Sequence, residues 1–323
     1  MSDLQQIAAT APLRLEPFLV AAALAQRAGD YDRAEVLLRQ ARVRDPRSPA
    51  ALYLLADVSL RKGKTVEGLH NMAILSRILP ETSVQLTPAL AEYAQTPGAR
   101  QELAGILAEN RQLKRPLLIA LAADPDNADL ILDLAGPAGR TAGSDSKVWQ
   151  SRLLEGLVAR GDYERAHSLW RQFAGVGEGP RPLLFNGEFK RLDAPPPFNW
   201  SFSSADAGFS EPGNNGRLRI LYYGRDDSVL ASQLLLLPPG TYRFRAPVSG
   251  RVAAGTLAFA LRCRGTGNTL VNVPIREPAA EANFTVPSGR CGAQLIQLRG
   301  HAQEMPEDSD VRVGPARIER VGG

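Results

Sequence analysis

The sequence predicts a multidomain chain, helical first and β second: an array of α-helical repeats followed by a β-sandwich. Three observations carry that expectation. Residues 1–178 are written in helical period and contain two near copies of one phrase, RAGDYDRAEVLL from Arg27 and ARGDYERAHSLW from Ala159. From Leu183 onward, about ten short runs are broken by Gly, Pro and Asn at roughly eight-to-twelve-residue spacing, the texture of a sandwich. Between them, Gly179–Trp200 (GPRPLLFNGEFKRLDAPPPFNW) is the point where the texture changes. The expected layout is therefore a helical domain over 1–178, a Gly/Pro linker over 179–182 and a sandwich over 183–323.

Length and composition agree with two cores. A chain of 323 residues exceeds the usual size of a single one. A hydrophobic fraction of 44% and a charged fraction of 22% are those of a soluble globular protein. Net charge is +4, yet the halves carry 22 Lys+Arg against 21 Asp+Glu (1–182) and 16 against 13 (183–323). No basic block stands out, which argues against a nucleic-acid partner. No run of eighteen apolar residues predicts a membrane span, and the N-terminal MSDLQQIAATAPLRLEPFLVAAALAQ lacks a signal-peptide pattern.

In the helical half, Gly29 and Gly63 are 34 residues apart, as are Pro46 and Pro80. Units at 15–48 and 49–82 then place Ala22 and Ala56 at one small position, Ala34 and Gly68 at a second, and Leu38 and Met72 at a large one. Small residues are needed where antiparallel helices cross closely, and the prolines stop the second helix of each unit. This spacing resembles the tetratricopeptide repeat family. A third unit at about 147–180 has Gly161, Ala166 and Trp170 at matching positions. Between them, Pro88, Pro97, Pro116, Pro125 and Pro137 are expected to chop residues 83–146 into short helices, read as degenerate repeats. The resemblance implies an α-solenoid whose concave face holds a protein partner, with the plain alternative that the helices only support the second domain.

In the β half, Pro238-Pro239-Gly240 before Tyr242 has the chemistry of a reverse turn. The ordered phrases Asn186-Gly187-Glu188-Phe189, Phe198-Asn199-Trp200, Gly216–Ile220 and Gln233–Leu237 with Pro239-Gly240-Thr241-Tyr242 are similar to the jelly-roll carbohydrate-binding modules. The resemblance covers most of 183–323 and implies that NGEF opens the first strand. It departs from the family in its closing strand, Val313–Ile318, which has no Asp, and Lys190 follows Phe189. Glu188 alone is a poor calcium ligand set, so neither a metal nor any other cofactor is expected.

Sugar binding in such a fold rests on aromatic faces flanked by hydrogen-bonding polar groups. The candidates are Tyr222 and Tyr223, adjacent and so on opposite faces, Trp200 as a platform or as core, and Arg219, Arg225 and Asp226 nearby. An aromatic content of 6% is low for this role, and a lapsed module that packs or docks a partner is the rival.

Cys263 and Cys291 are the only cysteines. A bridge between neighbouring strands would close a loop worth about 3–4 kcal/mol and imply an oxidising compartment, the periplasm or cell envelope. Two unrelated thiols in a cytoplasmic protein are the alternative. His70, His167 and His301 are scattered without zinc-ligand spacing. No nucleophile or phosphate-loop phrase occurs; GVGEGP at 175–180 leads into Arg-Pro, not a helix. The expected function is a non-enzymatic adaptor, with a protein partner on the repeats and a polysaccharide on the sandwich, suited to bacterial surface polysaccharide assembly or export. The alternatives are a purely structural protein–protein scaffold and, more remotely, a polysaccharide-processing enzyme.

Overall fold

A computed structural model of the chain describes residues 14–139, 147–177, 179–180, 182–213 and 215–322. Residues 1–13, the first half of the stretch read for a signal pattern, and Arg181 of the expected linker lie outside them. Ten α-helices precede twelve strands among the described residues. The chain divides into two compact units, residues 1–136 and 137–323.

The first unit opens with two helical hairpins, α1 (Glu16–Arg27) with α2 (Tyr31–Arg44), and α3 (Pro49–Arg61) with α4 (Thr65–Ile78). The sequence dictates each reversal. Gly29 and Gly63 take left-handed backbone (φ 78° and 72°), which only glycine adopts freely. That geometry lets the Asp30 N–H reach the Ala25 carbonyl and the Lys64 N–H reach Ser59, both at 2.9 Å. Asp30 then caps α2 by accepting from the Arg33 N–H at 3.0 Å, and Ser48 caps α3 through Ala51. The small positions are tight: Ala22, Ala34 and Ala56 are buried, and a Cβ on Gly68 would lie 2.7 Å from Leu60 Cγ. Leu38 is fully buried, whereas Met72 is only half-buried and Asn71 is fully buried next to it.

Beyond them run α5 (Ser83–Tyr93), α6 (Ala99–Glu109), α7 (Lys114–Leu121) and α8 (Ala128–Gly139). Pro88 does not end a helix as expected; it sits inside α5. Buried Leu86 and Leu90 on either side hold the segment in place despite the missing backbone donor. The break comes instead at Gly136, whose non-helical backbone (φ 67°, ψ −175°) kinks α8 before Pro137.

The second unit contains the hairpin α9 (Lys147–Ala159) and α10 (Tyr163–Phe173), followed by strands β1 (Ser201–Phe202), β2 (Ser204–Ala205), β3 (Gly208–Pro212), β4 (Leu218–Tyr222), β5 (Ser228–Leu235), β6 (Gly240–Arg251), β7 (Leu257–Cys263), β8 (Thr269–Pro274), β9 (Ala279–Val286), β10 (Gln294–Gly300), β11 (Ser309–Val313) and β12 (Arg317–Arg320). They form two sheets, one in the order β1-β5-β10-β7-β8, the other β12-β6-β11-β4-β3-β2 with β9 on the far edge of β6. Pairing is antiparallel throughout. Strict alternation drives closure: Tyr242, Phe244, Ala246 and Val248 of β6 face the core while Thr241, Arg243 and Arg245 face outward.

The outer face of the first sheet is not free. Leu234 and Leu236 line a seam with His167 and Trp170 of α10. Trp170 is buried, meets Phe185 edge-on at 4.8 Å between centroids, and donates its indole N–H to the Pro195 carbonyl at 2.8 Å. The hairpin α9–α10 therefore belongs to the same packed body as the strands, although the change of sequence texture falls at 179.

Candidate functional site

Of the residues expected to face a sugar, two are interior. Trp200 is 4% exposed and packs on Phe189 at 5.4 Å, and Tyr222 has no exposure at all. Tyr222 is a latch: its hydroxyl donates to the Asp226 carbonyl at 2.9 Å and closes the β4–β5 turn. Burial, then the Asp227 and Asp226 charges, push its phenol pKa up, which keeps it a neutral donor. Tyr242 closes the Pro238-Pro239-Gly240 turn in the same way, through Pro238 at 2.7 Å. Tyr223 is half-buried, and Arg225 and Asp226 are exposed on the turn. Asp227 accepts from the Ala302 N–H at 2.8 Å, which ties this turn to the segment after β10. Trp200 thus takes the core alternative, and Tyr222 is the inward member of the adjacent tyrosine pair.

The NGEF phrase is also structural, and it is not a strand. Asn186 and Phe189 take left-handed backbone (φ 52° and 54°). Asn186 accepts from the Arg191 N–H at 2.9 Å and donates to the Arg191 carbonyl and to Asn199, replacing a strand ladder with side-chain bonds. Gln233 donates to the Phe185 and Phe198 carbonyls, tying the same segment to β5. A Cβ at Gly187 would lie 2.0 Å from the Ala316 carbonyl oxygen. Gly187→Ala is expected to lower stability by about 1–3 kcal/mol by chemical denaturation; an unchanged midpoint would show that the closing segment gives way freely. Glu188 is engaged by Lys190 at 2.6 Å, which holds its carboxyl below the usual range. No group of three or more His, Cys, Asp or Glu side chains suited to a metal ion occurs among the described residues.

Cys263 and Cys291 are joined by a disulfide, with Cα atoms 5.1 Å apart. It ties the end of β7 to the loop before β10, beside an open groove of about 960 Å³ whose lining includes Thr266, Asn268, Asn283 and Arg290.

The outer face of the second sheet carries a cluster of arginines. Arg243 and Arg245 of β6 point outward beside Arg317 and Glu319 of β12, and these side chains with Pro247 and Pro315 line a groove of about 320 Å³. Arg245 stands opposite Arg317 in the ladder. Further across, Arg312 of β11 stands opposite Arg219 of β4. Arg219 is an ion-pair hub, 3.2 Å from Glu211 and 3.5 Å from Asp310. Of the expected site residues, only Arg219 belongs to this face. The others were missed, although R-x-R alternation in Tyr242-Arg243-Phe244-Arg245 carried the signal.

On the repeats, Tyr53, Asp57, Leu60 and Arg61 share a face of α3 by helical spacing, with Tyr53 and Leu60 exposed. Asp57 accepts from both Arg61, at 2.9 Å, and Gln26 of α1, joining the first helices of the two hairpins.

Residues 25–83 match the tetratricopeptide repeat family. No curated protein matches the chain significantly. Among solved structures, the chain is similar to YrrB, a tetratricopeptide protein with an unusual peptide-binding site (14% identity, TM-score 0.29, covering 52% of this chain and 89% of that one). It is also similar to CBM4 (15%, TM-score 0.31, covering 43% and 99%) and to TmCBM61 in complex with β-1,4-galactotriose (17%, TM-score 0.29, covering 44% and 100%). The fold is that of tetratricopeptide-like helical repeats followed by a β-sandwich. Among the described residues, no helix is long and apolar enough to cross a membrane.

Proposed function

We propose that the protein is a non-enzymatic adaptor that holds a protein segment on its helical repeats and a polysaccharide on its sandwich, in bacterial surface polysaccharide assembly or export. The observation that carries the reading is the α3 face. Tyr53 and Leu60 remain solvent-exposed on a helix whose Leu52, Leu55, Ala56 and Val58 are buried, and the Asp57–Arg61 pair beside them supplies polar selectivity. The Cys263–Cys291 bridge supports an oxidising compartment, the periplasm or cell envelope.

A second reading, a protein–protein scaffold whose sandwich binds no sugar, is favoured by the burial of Trp200, Tyr222 and Tyr242. Two measurements on the full chain separate them. A photo-crosslinking residue at Tyr53 is expected to trap one discrete protein in cells, and the same residue at exposed Val43 of α2 is not. Equal labelling from both positions sinks the repeat face. A glycan array probed with the full chain is expected to give a restricted set of polysaccharide hits. A blank array leaves the scaffold.

A further inference from the structure

We propose that the arginine-lined groove on the outer face of the second sheet binds a carboxylate-bearing polysaccharide, a conclusion that rests on the reading of the sandwich as a polysaccharide binder. Availability comes first. The outer face of the other sheet is partly covered by α10, whereas β6 and β12 present their outward side chains to solvent.

Charge comes second. Arg245 and Arg317 face each other in register, as do Arg312 and Arg219, and like charges directly opposite on a sheet destabilise it. Arg219 has two carboxylates near it; in the groove Glu281, opposite Arg245 in the β6–β9 ladder, sits 3.5 Å from both Arg243 and Arg245, and Glu319 stands opposite Arg243, which leaves the arginines in excess over the carboxylates. Arg245 remains 64% exposed. Each guanidinium offers five N–H donors in a fork matched to a carboxylate, so these arginines keep donors to spare. A bound carboxylate between Arg245 and Arg317 would turn a repulsive pair into a shared bidentate clamp.

Shape comes third. Pro247 and Pro315, both half-buried, line the same groove and offer apolar ring surface to the C–H face of a sugar. Asn283, which accepts from Arg243 Nε at 3.2 Å, and Thr241 lie outward on the adjoining strands as partners for hydroxyls. A nucleic acid would need exposed aromatic rings for base stacking. On this face Phe209 is only half-exposed and sits beneath Arg219 at 5.8 Å.

The test uses the full chain and three carboxylated polysaccharides (polygalacturonate, alginate, hyaluronate), with fully methyl-esterified polygalacturonate as the uncharged control. At least one acidic chain is expected to bind, the ester not to, and affinity to fall as NaCl rises from about 50 to 500 mM. Arg245→Gln and Arg317→Gln should each weaken binding about tenfold, while Arg264→Gln, exposed between β7 and β8, should leave it unchanged. If the ester binds as well as the acid, or the two groove variants bind normally, the groove assignment is wrong and the polysaccharide reading survives. If neither acidic nor neutral glycans bind, the polysaccharide reading itself falls. If polyglutamate competes as well as the acidic sugars at equal charge, the face is a dock for acidic protein and the proposal is overturned.

Discussion

Trp170→Ala is expected to cost the sandwich unit about 3–5 kcal/mol. The indole is 1% exposed and is surrounded by rings from both parts of its unit, with Phe185 at 4.8 Å, Phe198 at 5.7 Å and His167 at 5.4 Å. Removing it empties the seam beneath Leu234 and Leu236 and leaves the Pro195 carbonyl without its 2.8 Å donor. The measurement is denaturant unfolding of the full chain followed by near-UV signal from the remaining tryptophans, Trp149 and Trp200. Trp170→Phe should recover part of the loss, since it refills volume but not the hydrogen bond. A loss below about 1 kcal/mol for the alanine variant would mean that α9 and α10 are only loosely attached to the strands.

Glu35→Gln is the second large effect, at about 2–3 kcal/mol near neutral pH. The Glu35 carboxylate is nearly buried on α2 and accepts from Lys62 at 2.5 Å, Lys64 at 2.8 Å and Arg39 at 2.9 Å. Lys62 and Lys64 flank Gly63 in the turn between α3 and α4, so one acid staples the first repeat to the second. Hydrogen bonds from Lys62, Lys64 and Arg39 lower its pKa from 4.5 to about 2, against the opposing effect of burial. The folded-state pKa is depressed, so the stabilisation is fully present above about 4.5 and is lost as pH falls toward 2. More than half of it should be gone by pH 3. Helical CD during urea unfolding at pH 7 and pH 3 checks this: the gap between wild type and Glu35→Gln should shrink at the lower pH. A gap that stays constant would assign the effect to packing, not charge. Solvent around the half-exposed Arg39 and Lys64 side chains screens the ion pairs and keeps the effect modest.

Much of the fold was legible because it depends on local chemistry. The phrases around Gly29, Gly63 and Gly161 announce their helix ends through residues that alone tolerate left-handed backbone there, and all three turns form. Alternation in β6 puts Tyr242 and Phe244 on one face and Arg243 and Arg245 on the other by a period of two. Where local signals compete with tertiary packing, the reading failed. Pro88 was expected to stop a helix, yet the burial of Leu86 and Leu90 outweighs the lost hydrogen bond. NGEF was expected to be a strand, yet Asn186 and Asn199 satisfy the backbone themselves and no ladder is needed. β3 escaped notice because Gly208–Pro212 is too short and polar to show alternation.

The candidate site follows the same division. By itself the sequence determined that the chain is a helical-repeat array joined to a sandwich, where the turns lie, and which strand positions share a face, because each of these rests on residues a few positions apart. Only the tertiary structure decided that Trp200 and Tyr222 are core, that α10 covers one sheet, and that Arg245 meets Arg317 across a ladder joining segments 72 residues apart in the chain. Period-two patterning says that a side chain leaves the sheet on one side or the other. Which side is buried, and which neighbour stands opposite, is set by strand order, and strand order is fixed by packing the whole core at once.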